Sequence, residues 1–202
     1  IDESPIAVLN IGGVSNVTWI DGSRIIAFDT GPGGALLDDW VAPRTGDRFD
    51  QDGALAATGR VHDKRVEAIL LDEPYFRRDP PKSLDRDAFR VDLSNLSTPD
   101  GAATLVALTA EAVSHARGHM PADPACWIVC GGGRHNDAVM AALRERLGSP
   151  VKPAEEVGWD GDSLEAEAFA YLAVRSLHGM PLSLPTTTGC REAVTGGALH
   201  RA

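Results

Sequence analysis

The stretch that decides the fold runs Asn10-Ile11-Gly12-Gly13-Val14-Ser15-Asn16-Val17-Thr18-Trp19, turns at Asp21-Gly22 and continues as Ile25-Ile26-Ala27-Phe28-Asp29-Thr30-Gly31-Pro32-Gly33-Gly34. Two apolar strands are each interrupted or ended by glycines, and small polar groups and one carboxylate flank those glycines. Glycine has no Cβ, so backbone N–H groups can approach an anion closely, and consecutive N–H groups form an anion-binding concavity. The stretch therefore predicts a site for a phosphate and a sugar.

Three antiparallel strands are predicted around this stretch, over residues 6–10, 14–20 and 25–28. Gly12-Gly13 forms the first bend, and Asp21-Gly22 is a pair typical of a tight hairpin turn. The apolar residues after Gly34 fall at helical spacing, and we expect Pro43 to end that helix.

Helical and strand patterns alternate in the second half of the chain. The predicted elements are a helix over 102–119, a short buried strand over 127–130, a helix over 138–147, a brief strand at Val151 and a helix over 164–177. Three antiparallel strands that lead into parallel βα units predict a mixed sheet with helices on both faces. The predicted fold class is α/β.

The region of about 43–100 interrupts this order and is interpreted as a helical and irregular insertion packed on the main body. Residues 50–58 and 62–71 have helical patterns. Prolines fix φ and remove a hydrogen-bond donor, so residues 74–76 and 80–83 are predicted to form a rigid surface segment.

The charge balance of the 202-residue chain excludes two kinds of partner. Lys and Arg number 19 against 29 Asp and Glu, which gives a net charge of −10 and a pI near 5.0. Nucleic acids and anionic membranes are bound by clusters of basic residues, and the sequence has none. The expected ligand is a small molecule.

Three cysteines, Cys126, Cys130 and Cys190, are too few for a disulfide framework and predict a reducing, cytoplasmic compartment. No apolar stretch reaches the length that a membrane span needs, and the acidic first residues show no signal peptide. Because the chain starts at Ile1 and a strand follows at once, we expect an upstream segment. The oligomeric state stays open, with a homodimer among the options.

Asp29 is the first candidate for chemistry. It is predicted at the end of a strand, directly before a glycine loop that opens a helix, which is where open α/β sheets bind ligands. As a general base it would take a proton from water or from a sugar hydroxyl. The alternative is that its carboxylate only caps the turn of its own backbone.

Two glycine segments are candidates for binding phosphate. Gly12-Gly13 with Asn10, Ser15 and Asn16 can hold a phosphate, or the same residues form a hairpin with a bulge. Gly131-Gly132-Gly133 is the stronger signal, because it lies between a buried strand and a helix whose N-terminus favours a nucleotide. Asn136 or Asp137 is the predicted N-cap of that helix. Neither the GxxxxGK[ST] nor the GxGxxG pattern occurs.

Other charged clusters are weaker candidates. Asp162 and Glu165 are one helical turn apart, so both can point into a cleft toward a sugar hydroxyl, or they only complement the helix dipole. Glu111, His115 and His119 share a helix face, which we interpret as solvated, so no metal-binding residue is predicted. The basic run from Arg77 to Lys82 is interpreted as an exposed loop; Lys82 and Arg86 can also reach a phosphate.

Blocks of residues in a common order resemble the anhydro-N-acetylmuramic acid kinases, a family in the actin, sugar-kinase and Hsp70 superfamily. The blocks cover nearly the whole chain and are 9–16, 28–33, 50–53, 80–83, 129–136, 161–166 and 184–189. The resemblance implies an actin-like ATPase (ribonuclease H-like) domain over residues 1–202, the C-terminal portion of these kinases. The N-terminal domain of the family, with its Gly-Thr-Ser-x-Asp-Gly phosphate motif, is not in this sequence. The chain alone is therefore expected to hold half of the phosphate site and to be inactive.

The resemblance also implies an activity. Such kinases use ATP and water to open the 1,6-anhydro ring of anhydro-N-acetylmuramic acid and phosphorylate O6, giving N-acetylmuramic acid 6-phosphate in peptidoglycan recycling. Asp29 matches the catalytic aspartate, and ATP with Mg²⁺ is the expected cofactor pair. By the same resemblance the ATP- and phosphate-binding residues are Asn10, Gly12, Gly13, Ser15, Asn16, Gly131, Gly132, Gly133 and Asn136, and the substrate-binding residues are Thr30, Gly31, Pro32 and Glu165.

Two positions depart from the family pattern: Gly34 stands where asparagine is expected, and Leu84-Asp85 stands where Thr-Gly is expected. Two alternatives stay open. The chain can belong to another sugar or acetate-type kinase of the superfamily, or it can be a non-catalytic nucleotide-binding module, as in Hsp70-like relatives.

Overall fold

The computed structural model describes residues 3–200 and contains a five-stranded mixed sheet. The strands are β1 (Ile6–Ile11), β2 (Val14–Asp21), β3 (Arg24–Pro32), β4 (Cys126–Cys130) and β5 (Val151–Pro153). They lie in the order β3-β2-β1-β4-β5; β1 pairs antiparallel with β2 and β2 with β3, whereas β1 pairs parallel with β4 and β4 with β5. The predicted α/β fold, with three antiparallel strands before parallel βα units, is confirmed.

Six α-helices accompany the sheet within residues 3–200. They are α1 (Ala35–Thr45), α2 (Asp63–Asp72), α3 (Thr98–Ala116), α4 (Asp137–Leu147), α5 (Leu164–Leu177) and the single turn α6 (Pro185–Thr188). Short 3₁₀ turns link them at Gln51–Gly53, Ala56–Thr58, Pro74–Arg77, Arg86–Ala88, Arg117–His119, Gly132–His135 and Ala154–Val157.

The main core lies on one face of the sheet. Side chains alternate along a strand, so Ala7, Leu9 and Ile11 of β1 all point to this face and are buried against helices α1, α3 and α4. On the opposite face, Ile128 packs in a smaller cluster with Ala154 and with Leu164 at the start of α5. Strands β1 and β4 are parallel neighbours, so the glycine segments that follow them lie at the same end of the sheet.

Several boundaries differ from prediction. The helix predicted over 102–119 is α3 (Thr98–Ala116), which is followed by the 3₁₀ turn Arg117–His119. Strand β3 does not end at Asp29 but continues to Pro32, because the β2–β3 ladder shifts register between Ser15 and Asn16 and then resumes. Pro43 lies inside α1, which ends only at Thr45. Proline removes one helical hydrogen bond, and α1 continues for only two residues beyond it. The hairpin loop is Gly22-Ser23, since Asp21 still pairs with Arg24.

Helix α3 is buried on nearly all sides rather than on one face. It packs against α1, α2, α4 and β3, so it is a central helix that other elements surround. The predicted residues Leu105, Leu108, Ala112 and Val113 are all buried, but so are residues between them. An apolar stripe predicts which side of a helix meets the sheet, whereas the covering helix on the other side is set by tertiary packing.

The region 43–100 differs from prediction in two places. Residues 50–58 form two 3₁₀ turns instead of one helix, because the Asp50 carboxylate accepts hydrogen bonds from the N–H groups of Leu55 (2.7 Å) and Ala56 (2.9 Å). The segment with the prolines lies only partly at the surface: Pro74, Pro81 and Ser83 are exposed, whereas Tyr75, Phe76 and Lys82 are buried. The helix predicted over 62–71 is confirmed as α2.

Helix α5 has the predicted bounds but contains no buried residue. Phe169, Tyr171, Val174 and Leu177 are all more than half exposed. Between residues 3 and 200, no helix has both the length and the apolar character that a membrane crossing requires.

Candidate functional site

Six glycines meet around one cavity of about 500 Å³, which we call the glycine cavity. They come from the β1–β2 turn, from the turn between β3 and α1, and from the loop after β4: Gly12, Gly13, Gly33, Gly34, Gly132 and Gly133. The structure thus brings together the two glycine segments that the sequence singled out. Asn136 also lines the cavity, whereas Asn10, Ser15, Asn16 and Gly131 do not.

The β1–β2 turn is held against the start of α1 by three backbone hydrogen bonds. The N–H groups of Gly33 and Ala35 donate to the Gly13 carbonyl (3.0 and 3.2 Å), and the Gly34 N–H donates to the Gly12 carbonyl (2.7 Å). A Cβ on Gly33 would lie 2.4 Å from the Gly12 carbonyl oxygen, so this close approach requires glycine. Because these N–H groups are already bonded, the helix start contributes packing rather than free donors.

The loop after β4 is fixed from both ends. Gly131 has φ +74°, a left-handed conformation that favours glycine, and a Cβ there would lie 2.3 Å from Asn10 Oδ1. Asn136 is the N-cap of α4: its Oδ1 accepts from the Val139 N–H (3.0 Å), and its Nδ2 donates to the Asp50 carbonyl (3.4 Å). The predicted N-cap is confirmed, and the same side chain ties the loop to residues 50–53.

Arg134 is a buried residue of this loop that sequence reasoning missed. Its guanidinium donates to the Gly131 carbonyl (2.9 Å) and forms ion pairs with Glu155 (2.8 Å) and Asp162 (2.9 Å). The two carboxylates hold the pKa of the guanidinium above its usual range. Arginine directly after three glycines was the available signal, since buried arginines are paired. Asp162 therefore neutralises Arg134 instead of facing a sugar.

The remaining walls of the glycine cavity are suited to a nucleotide. Apolar side chains of Leu37, Leu105, Val106 and Val139 face it, and Gln51, Asp52 and His135 add polar groups at its edge. Asp52 has a left-handed conformation (φ 55°), the only such non-glycine residue between residues 3 and 200. Residues 50–53 were a matching block in the sequence, but nothing local showed that they face the glycines.

Asp50 and Asp52 line the glycine cavity with carboxylates that accept hydrogen bonds from Leu55, Ala56 and Gln51. A third carboxylate of this cavity, Asp38, was also missed by sequence reasoning. Its side chain has no hydrogen-bond or ion-pair partner within the described part of the chain. Burial raises its pKa, as does neighbouring Asp39, while Arg86 opposes the shift. Asp39 itself bonds Arg86 at 2.9 Å, and the Arg86 side chain passes beside Gly13, where an added Cβ would lie 3.9 Å from Arg86 Cδ.

Asp29 lines a second cavity of about 330 Å³ between β3, residues 81–83 and α6, which we call the Asp29 cavity. Its carboxylate is half-buried, and Oδ2 accepts a hydrogen bond from the Leu84 N–H (2.6 Å). Burial raises the pKa of Asp29, and the Leu84 N–H partly offsets that shift. Because the partner lies 55 residues away, the carboxylate does not cap its own turn.

Several predicted site residues do not line the glycine cavity. Ser15 and Thr30 are buried and bond each other through their hydroxyls (2.6 Å), so they link β2 to β3. Gly31 and Pro32 are buried beneath the site, and Glu165 on α5 lines neither cavity. Asn16 lines the Asp29 cavity rather than the glycine cavity. The Asn10 side chain packs against Gly131, where an added Cβ would lie 2.3 Å from Asn10 Oδ1.

The other charged candidates have structural partners. Lys82 is buried rather than exposed, and its amine lies 3.4 Å from both the Tyr75 carbonyl and His119 Nε2. Glu111 forms an ion pair with Arg146 (3.0 Å). Within residues 3–200, no three His, Cys, Asp or Glu side chains gather as a metal site.

Comparison with known proteins gives one consistent result. A family model described as "Anhydro-N-acetylmuramic acid kinase" matches residues 2–202. Proteins named anhydro-N-acetylmuramic acid kinase are similar to the chain: that of Rhodospirillum rubrum is 59% identical over 196 residues (96% of this chain, 52% of the relative), and that of Acidiphilium cryptum is 52% identical over 204 residues (98% and 56%). The chain spans about half the length of these curated relatives.

Solved structures are more distant. A ligand-bound xylulose kinase from Lactobacillus acidophilus aligns with a TM-score of 0.49 and 14% identity, over 73% of this chain and 34% of that one. An activator of 2-hydroxyisocaproyl-CoA dehydratase from Clostridium difficile, with bound ADPNP, aligns with a TM-score of 0.48 and 14% identity, over 74% and 54%.

Proposed function

The chain belongs to the anhydro-N-acetylmuramic acid kinase family, and we propose that it forms the C-terminal domain of such a kinase, carrying nucleotide-binding loops and the catalytic aspartate. The proposed reaction opens the 1,6-anhydro ring of anhydro-N-acetylmuramic acid and phosphorylates O6 with ATP. The product is N-acetylmuramic acid 6-phosphate, an intermediate of peptidoglycan recycling. A reducing compartment remains a prediction from the sequence. A homodimer remains one option for the oligomeric state.

The observation that carries the proposal is that one chain segment serves both cavities. Asp29 lines the Asp29 cavity, and Gly33, four residues further on, lines the glycine cavity. At the rise of an extended strand, four residues span about 13 Å. A phosphate chain that starts among the glycines can therefore end beside a sugar held near Asp29.

The glycine cavity is the proposed site of ATP. Its volume of about 500 Å³ lies within the usual range for ligand pockets, and its apolar walls suit a purine base. Glycines at 12–13 and 132–133 leave the backbone bare, so phosphate oxygens can approach it closely. Positioning and charge neutralisation are the main contributions that a protein makes to phosphoryl transfer.

Asp29 is the proposed general base. Its Oδ1 has no partner among residues 3–200, so a water molecule in the Asp29 cavity can donate to it. As that water attacks the anomeric carbon, its proton passes to the carboxylate and the bond from that carbon to O6 breaks. The released O6 then attacks the γ-phosphorus, and ADP leaves.

Asp38 is suited to be a ligand of the Mg²⁺ that the proposed reaction needs. Protein sites for Mg²⁺ typically offer one or two carboxylates, and the substrate phosphates and water supply the other ligands. Asp38 is an unpaired carboxylate in the glycine cavity, and its desolvation is relieved when a cation binds. The metal would neutralise charge on the phosphates of ATP.

Mg²⁺ is expected to raise the affinity for ADP less in Asp38→Asn than in the wild-type chain. The difference between the two increases should be roughly tenfold, the usual size of coupling between two ligands. Metal-free ADP binding should stay equal or become tighter, because a negative charge beside the phosphates is removed. Calorimetric titration of ADP with and without Mg²⁺ measures both affinities. Asp39→Asn is the matched control, since its carboxylate bonds Arg86 on the outer surface; equal losses in the two variants would refute the role of Asp38.

A second candidate function is a nucleotide-binding module without chemistry. It is favoured by one observation: Glu165, the residue expected on the sugar side, lines neither cavity. On this view the chain would bind ATP and release no phosphorylated sugar.

A coupled ADP-release assay separates the two. It is run on this chain and on a family-length chimera, in which the upstream half of the Rhodospirillum rubrum relative is joined to it. The kinase proposal expects turnover of anhydro-N-acetylmuramic acid by the chimera and not by this chain alone. If the chimera binds ATP but leaves the sugar unphosphorylated, the proposal is wrong and the binding-module function takes its place.

A further inference from the structure

Asp29 is held by a segment that lies far from it in the sequence. The Tyr75 hydroxyl donates to the Asp29 carbonyl oxygen (2.7 Å), and the Asp29 N–H donates to the Lys82 carbonyl (3.0 Å). The Leu84 N–H donates to Asp29 Oδ2 (2.6 Å). Both backbone polar groups and one carboxylate oxygen of Asp29 are therefore bonded to residues of this one segment.

Tyr75 is the only one of these three partners that acts through its side chain, and it is fixed on every side. It is 4% exposed, its ring lies edge-on to Phe76, and the Lys82 amine lies 4.9 Å from its ring centre. Burial raises the pKa of the Tyr75 hydroxyl well above its usual range, and the Asp29 carboxylate raises it further. The hydroxyl therefore stays protonated and acts as a hydrogen-bond donor to Asp29.

We propose that Tyr75 is a positioning residue for Asp29, whose hydroxyl fixes the backbone from which the carboxylate projects and so directs Oδ1 into the Asp29 cavity. The inference rests on the proposed function for the role of Asp29 as the base. Proton transfer depends on heavy-atom distances of about 3 Å, and a misplacement of about 1 Å can cost roughly 100-fold in rate.

The position of Asp29 explains why such a support is needed. It lies on β3, the edge strand of the sheet, so β2 pairs with it on one side only. On the other side the Tyr75–Leu84 segment takes the place of a neighbouring strand. Without the Tyr75 hydroxyl, the Asp29 carbonyl loses its partner on the open side, and the register break at Ser15 and Asn16 leaves the strand free to shift.

The direct test compares Tyr75→Phe with Tyr171→Phe in this chain by amide hydrogen exchange, which needs no catalysis. Tyr171 is 60% exposed on α5 and is a matched control. Loss of one hydrogen bond should speed exchange of the Asp29 and Leu84 amides by roughly tenfold through local opening, while amides of β1 keep their rates. A role of the ring alone would leave exchange unchanged, because phenylalanine keeps the ring, and a general structural role of the hydroxyl would speed exchange throughout the core.

The kinetic test uses the family-length chimera. Tyr75→Phe should lower kcat roughly tenfold while the KM values for ATP and sugar stay within about twofold, because binding surfaces are intact and only the base is displaced. Placing 4-aminophenylalanine at position 75, which restores a donor, should recover most of kcat.

The hydrogen-exchange experiment and the kinetic experiment distinguish failure of the positioning role from failure of the proposed function. If the Asp29 amide exchanges at the wild-type rate in Tyr75→Phe, the positioning role is wrong whatever the enzyme does. Unchanged kcat in an active chimera would also overturn it. If the chimera with Tyr75 intact shows no turnover, the proposed function fails, while the exchange result still decides whether Tyr75 holds Asp29.

Discussion

Asp29→Asn in the family-length chimera is expected to lower kcat by about 1,000-fold, the scale of a lost general base. Asparagine has nearly the same shape, and its side-chain oxygen can still accept the hydrogen bond from the Leu84 N–H. It cannot take a proton from the attacking water. The effect should therefore appear in kcat, with little change in the affinity for ADP measured by calorimetry.

Asp123→Asn is the control for this prediction. That carboxylate pairs with Arg117 at 2.8 Å and lines neither cavity. It should leave kcat unchanged. A loss of less than about tenfold in Asp29→Asn would place the base elsewhere.

The pH dependence of the same chimera follows from the burial of Asp29, which raises its pKa above the ordinary aspartate value of 3.8. A base must be deprotonated to act, so kcat/KM should fall as pH drops through this raised pKa. A profile of kcat/KM against pH tests the sign. An acidic limb that begins below 3.8 would contradict the burial effect.

Gly33→Ala is the second large expected effect. The added Cβ would lie 2.4 Å from the Gly12 carbonyl oxygen and 2.9 Å from the Val14 carbonyl carbon. Both contacts are with backbone atoms, which have no alternative rotamer. We expect the free energy of unfolding to fall by about 3 kcal/mol, the upper end for overpacking, and ADP binding to weaken because the β1–β2 turn moves. Urea unfolding and ADP titration of this chain measure the two effects.

Gly34→Ala is its matched control on the next residue. Gly34 has φ −72°, and an added Cβ would lie 3.5 Å from the Gly12 carbonyl oxygen, an ordinary contact. The free energy of unfolding should change by less than about 1 kcal/mol. Equal destabilisation by the two substitutions would show that the close approach at Gly33 is not what sets the turn.

Most of the fold was predictable because it depends on local patterns. The period-2 alternation of β1 and β2 and the run of buried residues in β4 predict strands, and glycines mark the bends between them. The interior of the 43–100 region was less predictable. Asp50 breaks a helical pattern there by bonding Leu55 and Ala56, and such competition between a side chain and the backbone leaves no periodic signal.

The candidate site was predictable in part. Glycines and an aspartate at a strand end carry a chemical meaning of their own, so Gly12, Gly132 and Asp29 were found from the sequence. Ser15 and Thr30 were expected at a ligand, but their hydroxyls meet each other inside the sheet. The local sequence pattern of a hydroxyl beside a glycine is the same whether the hydroxyl faces a ligand or a neighbouring strand.

The sequence by itself determined the order of strands and helices, the glycine segments and the family, because each depends on residues close together in the chain. Tertiary structure alone decided which groups reach a cavity. Asp38 and Asp39 are neighbours of the same type, yet one faces the glycines and the other Arg86. Tyr75 and Leu84 contact Asp29 across 46 and 55 residues. Such contacts depend on how distant segments pack, and no local pattern carries that information.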